Sequence, residues 1–217
     1  MNHESLMQEL DAMVAAALGR IGEASAAGSA AGLTVARLLE VALKNELEAA
    51  EEAALWMTGE TDLAVKLALA RQCGDEARHY RLIEDRLRAL GRDPAQLDPL
   101  KAGWSPMFTY LRGLTTTVER LAAGPFAREA LAQVRNRVFA DFCDEQGDAE
   151  TARLYRDVIT PDEHFHHQLG RDLLPRFVRD EADADRARAA ARRTLELAEE
   201  LQEIARIKMG LCRLPGC

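Results

Sequence analysis

Apolar residues recur every three to four positions along most of this chain, and seldom at every second position. That period belongs to amphipathic helices rather than strands. Leu6, Leu10, Met13, Val14 and Leu18 form a first stripe over 3–18. A second runs over 33–57 through Leu39, Leu43, Leu47, Ala50, Ala54 and Met57. A third helix is predicted over 62–90, stopped by Gly91, a residue type that favours helix C-termini. Further helical stretches are expected at 106–122, from Pro125 to Glu145, at 149–174 and at 182–209. The last carries Leu195, Leu197, Leu201, Ile204 and Ile207.

The breaks between these stripes are written in turn residues. The Gly/Ala/Ser-rich run Gly19 to Gly32 reads as a linker, and 58–62 and Gln146-Gly147-Asp148 read as short turns. Pro94, Pro99 and Gly103 mark 91–105 as a long crossing connection. Gly124-Pro125 predicts an interruption, with Pro125 well suited to restart a helix. Pro161 falls inside a helical stretch, and Pro175 is expected to end it. The expected organisation is one helical domain over 1–217. Its core bundle would span 33–175, flanked by terminal helices 3–18 and 182–209.

Composition agrees with an all-α fold. Ala, Leu, Glu and Arg dominate the 217 residues, and all are strong helix formers. A formal charge of −8 argues against a general nucleic-acid binder. No apolar run is long enough for a membrane span, and the acidic N-terminal stretch has no signal-peptide core, so a cytoplasmic protein is expected. The cysteines, at 73, 143, 212 and 217, form no C-x-x-C pair, which excludes a zinc-ribbon or rubredoxin module. Free thiols are expected, with a metal or disulfide role for Cys212 and Cys217 as the alternative.

The chemistry sits in a doubled motif. Asp75-Glu76-Ala77-Arg78-His79 and Asp162-Glu163-His164-Phe165-His166 both read D-E-x-x-H. Glu and His three apart share a helix face and can hold one metal ion together. Two such pairs make a dimetal site when two other helices each add a Glu. The alternative is two solvated helix faces. For the second copy there is a further one: Thr160-Pro161-Asp162-Glu163 also reads as a helix start, with Thr160 as N-cap and Glu163 as the capping-box acid.

Distance from the turns selects the remaining acids. Glu76 lies 14 residues past Asp62, or roughly 21 Å of helix. Glu46 lies at a matching distance before Thr58, whereas Glu48, Glu51 and Glu52 are nearer the turn, Glu52 being the weakest candidate. Glu163 lies 15 residues past Asp148, which points to Glu129 in the preceding helix. Glu119 is ten residues further back, roughly 15 Å too far for a shared site. His167, one turn past Glu163, is an alternative ligand. Cys73, one turn before Glu76, either lines the site or is an inert thiol. Tyr80 and Tyr155 are either redox-active phenols or core residues, and His3 is a surface residue.

The set Glu46, Glu76, His79, Glu129, Glu163 and His166 resembles the ferritin-like di-iron carboxylate superfamily. Lys44-Asn45-Glu46-Leu47-Glu48-Ala49-Ala50 is similar to the first ligand helix of ferritins. D-E-A-R-H at 75–79 resembles the corresponding motif of bacterial multicomponent monooxygenase hydroxylase subunits, and the spacings also resemble ribonucleotide reductase small subunits. Phe165 stands where an Arg would complete the symmetry. The resemblance covers about 33–175 and implies a ferritin-like four-helix bundle with additional N- and C-terminal helices. It implies two metal ions, iron or mixed manganese and iron, bridged by Glu76 and Glu163. Glu46 and His79 would complete one position, and Glu129 and His166 the other. It further implies that Asp75 orients His166 and Asp162 orients His79, with Arg78 neutralising one of the acids. These three complete the candidate catalytic set.

The expected activity is an oxidoreductase that uses O₂ or peroxide to oxidise a small substrate. Electrons would come from a separate donor, because the chain carries no cysteine cluster or flavin motif. A homodimer is compatible with this reading. Small residues at Ala42, Ala49, Ala50 and Ala53 suggest where a substrate would sit. The alternatives are a ferritin-like storage or ferroxidase protein and a metal-free helical interaction protein.

Overall fold

The computed structural model describes residues 2–25 and 33–208, and every regular element among them is helical. Helix α1 spans His3–Ser25, α2 Val35–Gly59 and α3 Leu63–Ala89. A single 3-10 turn, Pro94–Gln96, lies in the crossing connection, followed by the short α4, Pro106–Leu111. Two long helices, α5 (117–145) and α6 (149–177), each contain a wider π-helical segment. Helix α7 spans Glu181–Lys208. No helix among the described residues is long and apolar enough to cross a membrane. Cys212 and Cys217 lie outside the described residues, as does 26–32 of the expected linker.

Helix α1 runs seven residues beyond its expected end at Leu18. The stripe of Leu6, Leu10, Val14 and Ala17 continues to Ile21, and all five are buried. Gly19 is exposed, and its helix-weakening tendency of about 1 kcal/mol is outweighed by the burial of Ala17 and Ile21 on either side. Helices α2 and α3 begin where side-chain caps allow. Thr34 accepts from the amide of Arg37, and Asp62 accepts from those of Ala64 and Val65. Buried Glu60 closes their turn by accepting from the amides of Thr61 and Asp62 and from the Thr117 hydroxyl. A connection this short makes α2 and α3 antiparallel neighbours, and the turn at 146–148 does the same for α5 and α6.

The prolines act differently from expectation. The predicted helix 106–122 breaks earlier, after Leu111, because Thr116 and Glu119 form a capping box that starts a new helix at Thr117. Gly124-Pro125 then interrupts nothing. The chain widens into a π-helical segment, Ala122–Arg128, and continues to Glu145. In the widened turn the amide of Glu129 reaches the carbonyl of Gly124 in place of that of Pro125, and the helix continues past a residue without an N–H. A second π segment, Tyr155–Ile159, precedes Pro161 in α6. Pro175 does not end α6 either, since the helix reaches Phe177. It falls in the last turn, where buried Leu173, Leu174 and Val178 hold the segment against the core.

The buried stripes are apolar at both ends and polar in the middle. One apolar cluster joins α1, α7, the start of α5 and the end of α6, together with Trp56, Val65 and Leu69. The other joins Val35, Leu39 and Leu43 of α2 to Ile83, Leu87, Ala140, Cys143, Ala152, Tyr155 and Ile159. Between them the stripes place Glu46 on α2, Gln72, Glu76 and His79 on α3, Glu129 on α5, and Glu163 and His166 on α6, all buried. Two glycines let the helices approach closely here. A Cβ on Gly170 would lie 2.7 Å from the Phe126 amide nitrogen, and one on Gly124 would lie 2.6 Å from the Trp56 ring.

These contacts predict opposite effects from one kind of substitution. Gly170→Ala should lower stability by about 1–3 kcal/mol, because backbone rather than a mobile side-chain end must give way. Gly74→Ala, in the exposed middle of α3 with nothing within 4 Å, should raise it by about 0.5–1 kcal/mol. Urea unfolding of the two variants checks both signs.

Candidate metal centre

Six donors from four helices meet in the polar layer. Glu46, Glu76, His79 and Glu163 bring one ligand atom each to within 4.8 Å of one another, and so do Glu76, Glu129, Glu163 and His166. Glu76 and Glu163 belong to both groups, as side chains shared between two ions would. Glu–His spacing of three in α3 and α6 supplies the pairs. Nδ1 of His79 lies 3.4 Å from Glu76 and from Glu46, and 3.8 Å from Glu163. Nδ1 of His166 lies 3.4 Å from Glu163 and 3.6 Å from Glu76.

The two aspartates sit behind the imidazoles, crosswise between the motifs. Nε2 of His79 lies 2.9 Å from Asp162, and Nε2 of His166 lies 3.1 Å from Asp75. A carboxylate only accepts, so each Nε2 carries the proton and each Nδ1 is turned toward the cluster. Arg78 donates to Asp162. Asp75 takes its nearer partner from outside the motif: Arg71, one turn earlier on α3, approaches it at 3.3 Å, with Arg78 at 3.9 Å. The Arg71 guanidinium lies over the ring of Phe165, the residue that breaks the motif's symmetry. Phe165 thus supports the replacement cation from its ring face.

The donor set fits a metal. Glu76 Oε1, Glu129 Oε2, Glu163 Oε2 and both Nδ1 atoms are buried without a hydrogen-bond partner. Unpartnered buried polar atoms are costly, and five converging on one small volume are what an ion would satisfy. Hard oxygens with imidazole suit iron or manganese, whereas soft thiolates are missing from the cluster.

Other candidates are occupied elsewhere. Glu119 accepts from Thr116 in the capping box. Glu48 ties the crossing connection to α2, accepting from the amide and hydroxyl of Ser105 at 2.6 and 2.5 Å. Nδ1 of His167 lies 2.8 Å from the carbonyl oxygen of Phe126, and that of exposed His164 lies 3.2 Å from Gln133 Oε1. The capping-box reading of Glu163 gives way. Thr160 lies inside a continuous helix, its hydroxyl buried and unpartnered, and Glu163 faces the cluster. Tyr155 is a core residue, edge-on to Phe139, and burial together with the charge of Glu46 pushes its phenol well above the usual range. Cys73 is half-buried outside the donor groups, and exposed His3 stands at the start of α1. Of the alanine wall, Ala49 and Ala53 are buried in packing. A narrow apolar cavity lies instead between α3, α5 and α6, where Val65, Leu69, Leu121 and Leu173 lead to Gln72 and His166.

The sequence reading missed three partners of the cluster. Arg128, at the end of the first π segment, donates to Glu129 at 2.8 Å and to Glu52 at 2.9 Å. Gln72 donates to Glu129 at 2.7 Å. Glu52 is no donor to the cluster but is buried as the counterion of Arg128. Gln72 carried a signal, since it occupies a stripe position one turn before Glu76. Arg128 carried none, because a regular helix would aim adjacent residues about 100° apart.

Burial dominates the electrostatics. It raises Glu46 to about 8, against the nearby His79, and Glu52 to about 7, against Arg128. It raises Glu163 well above the carboxylate range, with Glu76 and Glu129 adding to it. Burial also works to raise Glu76, but His79 and the charge of Arg128 outweigh it and hold that carboxylate at about 2. For His79 burial acts downward, and the carboxylates of Glu46 and Glu76 overcome it, raising the imidazole to about 11.

No family model matches this chain, and no curated protein or solved structure matches it.

The shifts fix how the metal-free protein responds to pH. Glu52 and Glu46 have ordinary values of 4.5 and folded values of about 7 and about 8, so the folded state binds more protons across that window. Stability from these groups is complete below 4.5 and is lost as pH rises through the folded values. His79 adds loss in the same direction between 6.5 and about 11. His167, lowered by burial, opposes them only below 6.5. The metal-free protein should therefore melt at a lower temperature near about pH 8 than near about pH 5. Thermal unfolding in the presence of a chelator checks the sign, and Glu52→Gln should flatten the slope.

Proposed function

We propose that the chain is a ferritin-like four-helix bundle, formed by α2, α3, α5 and α6 with added helices, that works as a dimetal-carboxylate oxidoreductase. It would use O₂ or peroxide to oxidise a small substrate. The observation that carries this reading is the pair of four-donor groups sharing Glu76 and Glu163. Four carboxylates match the charge of two divalent ions, and the donor types favour iron, or manganese with iron. When bound, such a pair supplies electrons and open coordination positions for reducing O₂ or peroxide.

The protein's own residues prepare and protect that chemistry. Asp75 and Asp162 hold the Nε2 proton of His166 and His79 and so turn each Nδ1 inward, where it would face a bound ion. Arg71 and Arg78 hold the aspartates in place. The apolar clusters above and below the donors exclude bulk water. The void beside Gln72 and His166 measures about 10 Å³, room for a single water beside the donors. A separate reductase or ferredoxin would deliver electrons.

Metal analysis with visible spectroscopy tests the reading. Protein grown with ample iron should carry about two transition-metal ions per chain. A content far below one per chain would overturn the assignment. With excess ferrous iron in air, a small oligomer that consumes O₂ or peroxide only when given a reductant supports an oxidoreductase. A hollow particle that retains hundreds of irons would replace it with storage.

The aspartates give a second test. Asp162→Ala should leave the helical content intact and weaken metal binding by about 10–100-fold. An effect below about twofold on both binding and turnover would remove the orienting role.

A further inference from the structure

We infer that the two ion positions are unequal by construction. The position of Glu46 and His79 fills first, and the position of Glu129 and His166 is weakened by Arg128 and Gln72. The inference rests on the dimetal reading above and adds an order of loading to it.

Glu129 is clamped. Its Oε1 receives Gln72 Nε2 at 2.7 Å, Arg128 Nη2 at 2.8 Å and Arg128 Nε at 3.3 Å. Only Oε2 remains, buried and unpartnered. Glu129 can therefore offer a cation one oxygen. It cannot turn to chelate without giving up a buried charge-assisted hydrogen bond. Arg128 also places Nη2 at 3.6 Å from Glu76 Oε1, the oxygen that faces His166. A fixed positive charge thus stands against two of the three carboxylates on that side.

Glu46 has no such clamp. Its ion-pair neighbour is His79, and no Arg or Lys lies within ion-pair distance of it among the described residues. Its neighbours His79 and Glu76 are themselves donors of the same group, so no fixed cation competes for its oxygens. The two donor groups are otherwise matched, each with three carboxylates and one imidazole. Their difference lies in what stands behind them.

Arg128 cannot swing away. Nη1 is held by Glu52 at 2.9 Å, and Glu52 is itself buried, with Oε1 against Gly124. Glu52 offsets part of the field of Arg128, but it lies on the far side of the guanidinium from Glu129. The π segment ends at Arg128, and this turn brings adjacent residues 128 and 129 to the same interior. The clamp is thus built into the backbone as well as the side chains.

The test is an anaerobic titration of metal-stripped protein with Mn²⁺ by calorimetry, repeated with Co²⁺ by visible absorption. Two binding events are expected, separated by about 10-fold or more in affinity. Glu129→Gln should remove the weak event and keep the tight one, and Glu46→Gln should remove the tight one. The double variant Arg128→Met with Glu52→Gln, which removes the buried Arg–Glu pair together and leaves Glu129 its contact with Gln72, should tighten the second event and leave the first in place. Gln72→Leu should do the same to a smaller degree and serves if the double variant does not fold. Two events of equal affinity in the unaltered protein would overturn the inference while leaving the dimetal reading intact. So would loss of the tight event in Glu129→Gln. No binding of either cation would overturn both.

Discussion

Everything in this fold is arranged around the burial of a carboxylate and imidazole layer across the middle of four helices. Moving ionised groups out of water costs several kcal/mol each unless partners replace the lost hydration. Here the replacement is incomplete. His79 and His166 have their aspartates, and Glu129 has Arg128 and Gln72, yet five inward-facing atoms have no partner. The layer is tolerable because the apolar clusters on both sides hold the helices together without it. Burial pushes Glu46 and Glu163 up, and the carboxylates beside it push His79 up, so the metal-free layer favours holding protons in place of the missing charge. A cation entering the layer would take the place of those protons.

The near-symmetry of the doubled motif goes deeper than the donors and then fails in a telling way. Each aspartate reaches the histidine of the other motif, so α3 and α6 are fastened by two reciprocal contacts. Each aspartate also has an arginine. For Asp162 it comes from the opposite motif, whereas for Asp75 it comes from Arg71, on the same helix and seated on Phe165. The electrostatic role is kept while the residue that fills it changes. Inside the layer the donors stay matched but their surroundings do not, because among the described residues Arg128 has no counterpart beside Glu46.

Much of this was legible in the sequence because it follows from helical spacing. Glu46 lies on the same stripe as Leu39, Leu43, Ala49 and Ala53, so helix geometry alone turns it inward. Distance from the turns separated Glu129 from Glu119, and the structure places Glu129 in the cluster and Glu119 in a cap. The crossed aspartate contacts came from resemblance, not from spacing. Arg128 and Glu52 were not legible, since each acts through a distant residue or an irregular turn, and neither was the seat of Arg71 on Phe165, although its pairing with Asp75 is ordinary i,i+4 spacing. Glu52 looked like the poorest ligand and is indeed none, but its burial depends on an arginine 76 positions away.

The prolines show why local rules failed where they did. Pro125 and Pro161 each remove an amide from a helix that must stay continuous to carry a donor residue. A regular helix would break or kink at both. Instead, each helix widens into a π segment that ends immediately before the donor-bearing turn, at Arg128 and at Ile159. Such a turn accommodates one extra residue and so re-aims every side chain that follows it. Buried surroundings make this affordable: Ala122 to Ala127 are enclosed, and Gly170 lets α6 lie directly against that backbone. The aim of Glu129 and Glu163 therefore depends on long-range packing over irregular turns, whereas Glu46, Glu76 and His79 inherit theirs from regular helix. One half of the layer is set by sequence period, and the other by tertiary contact.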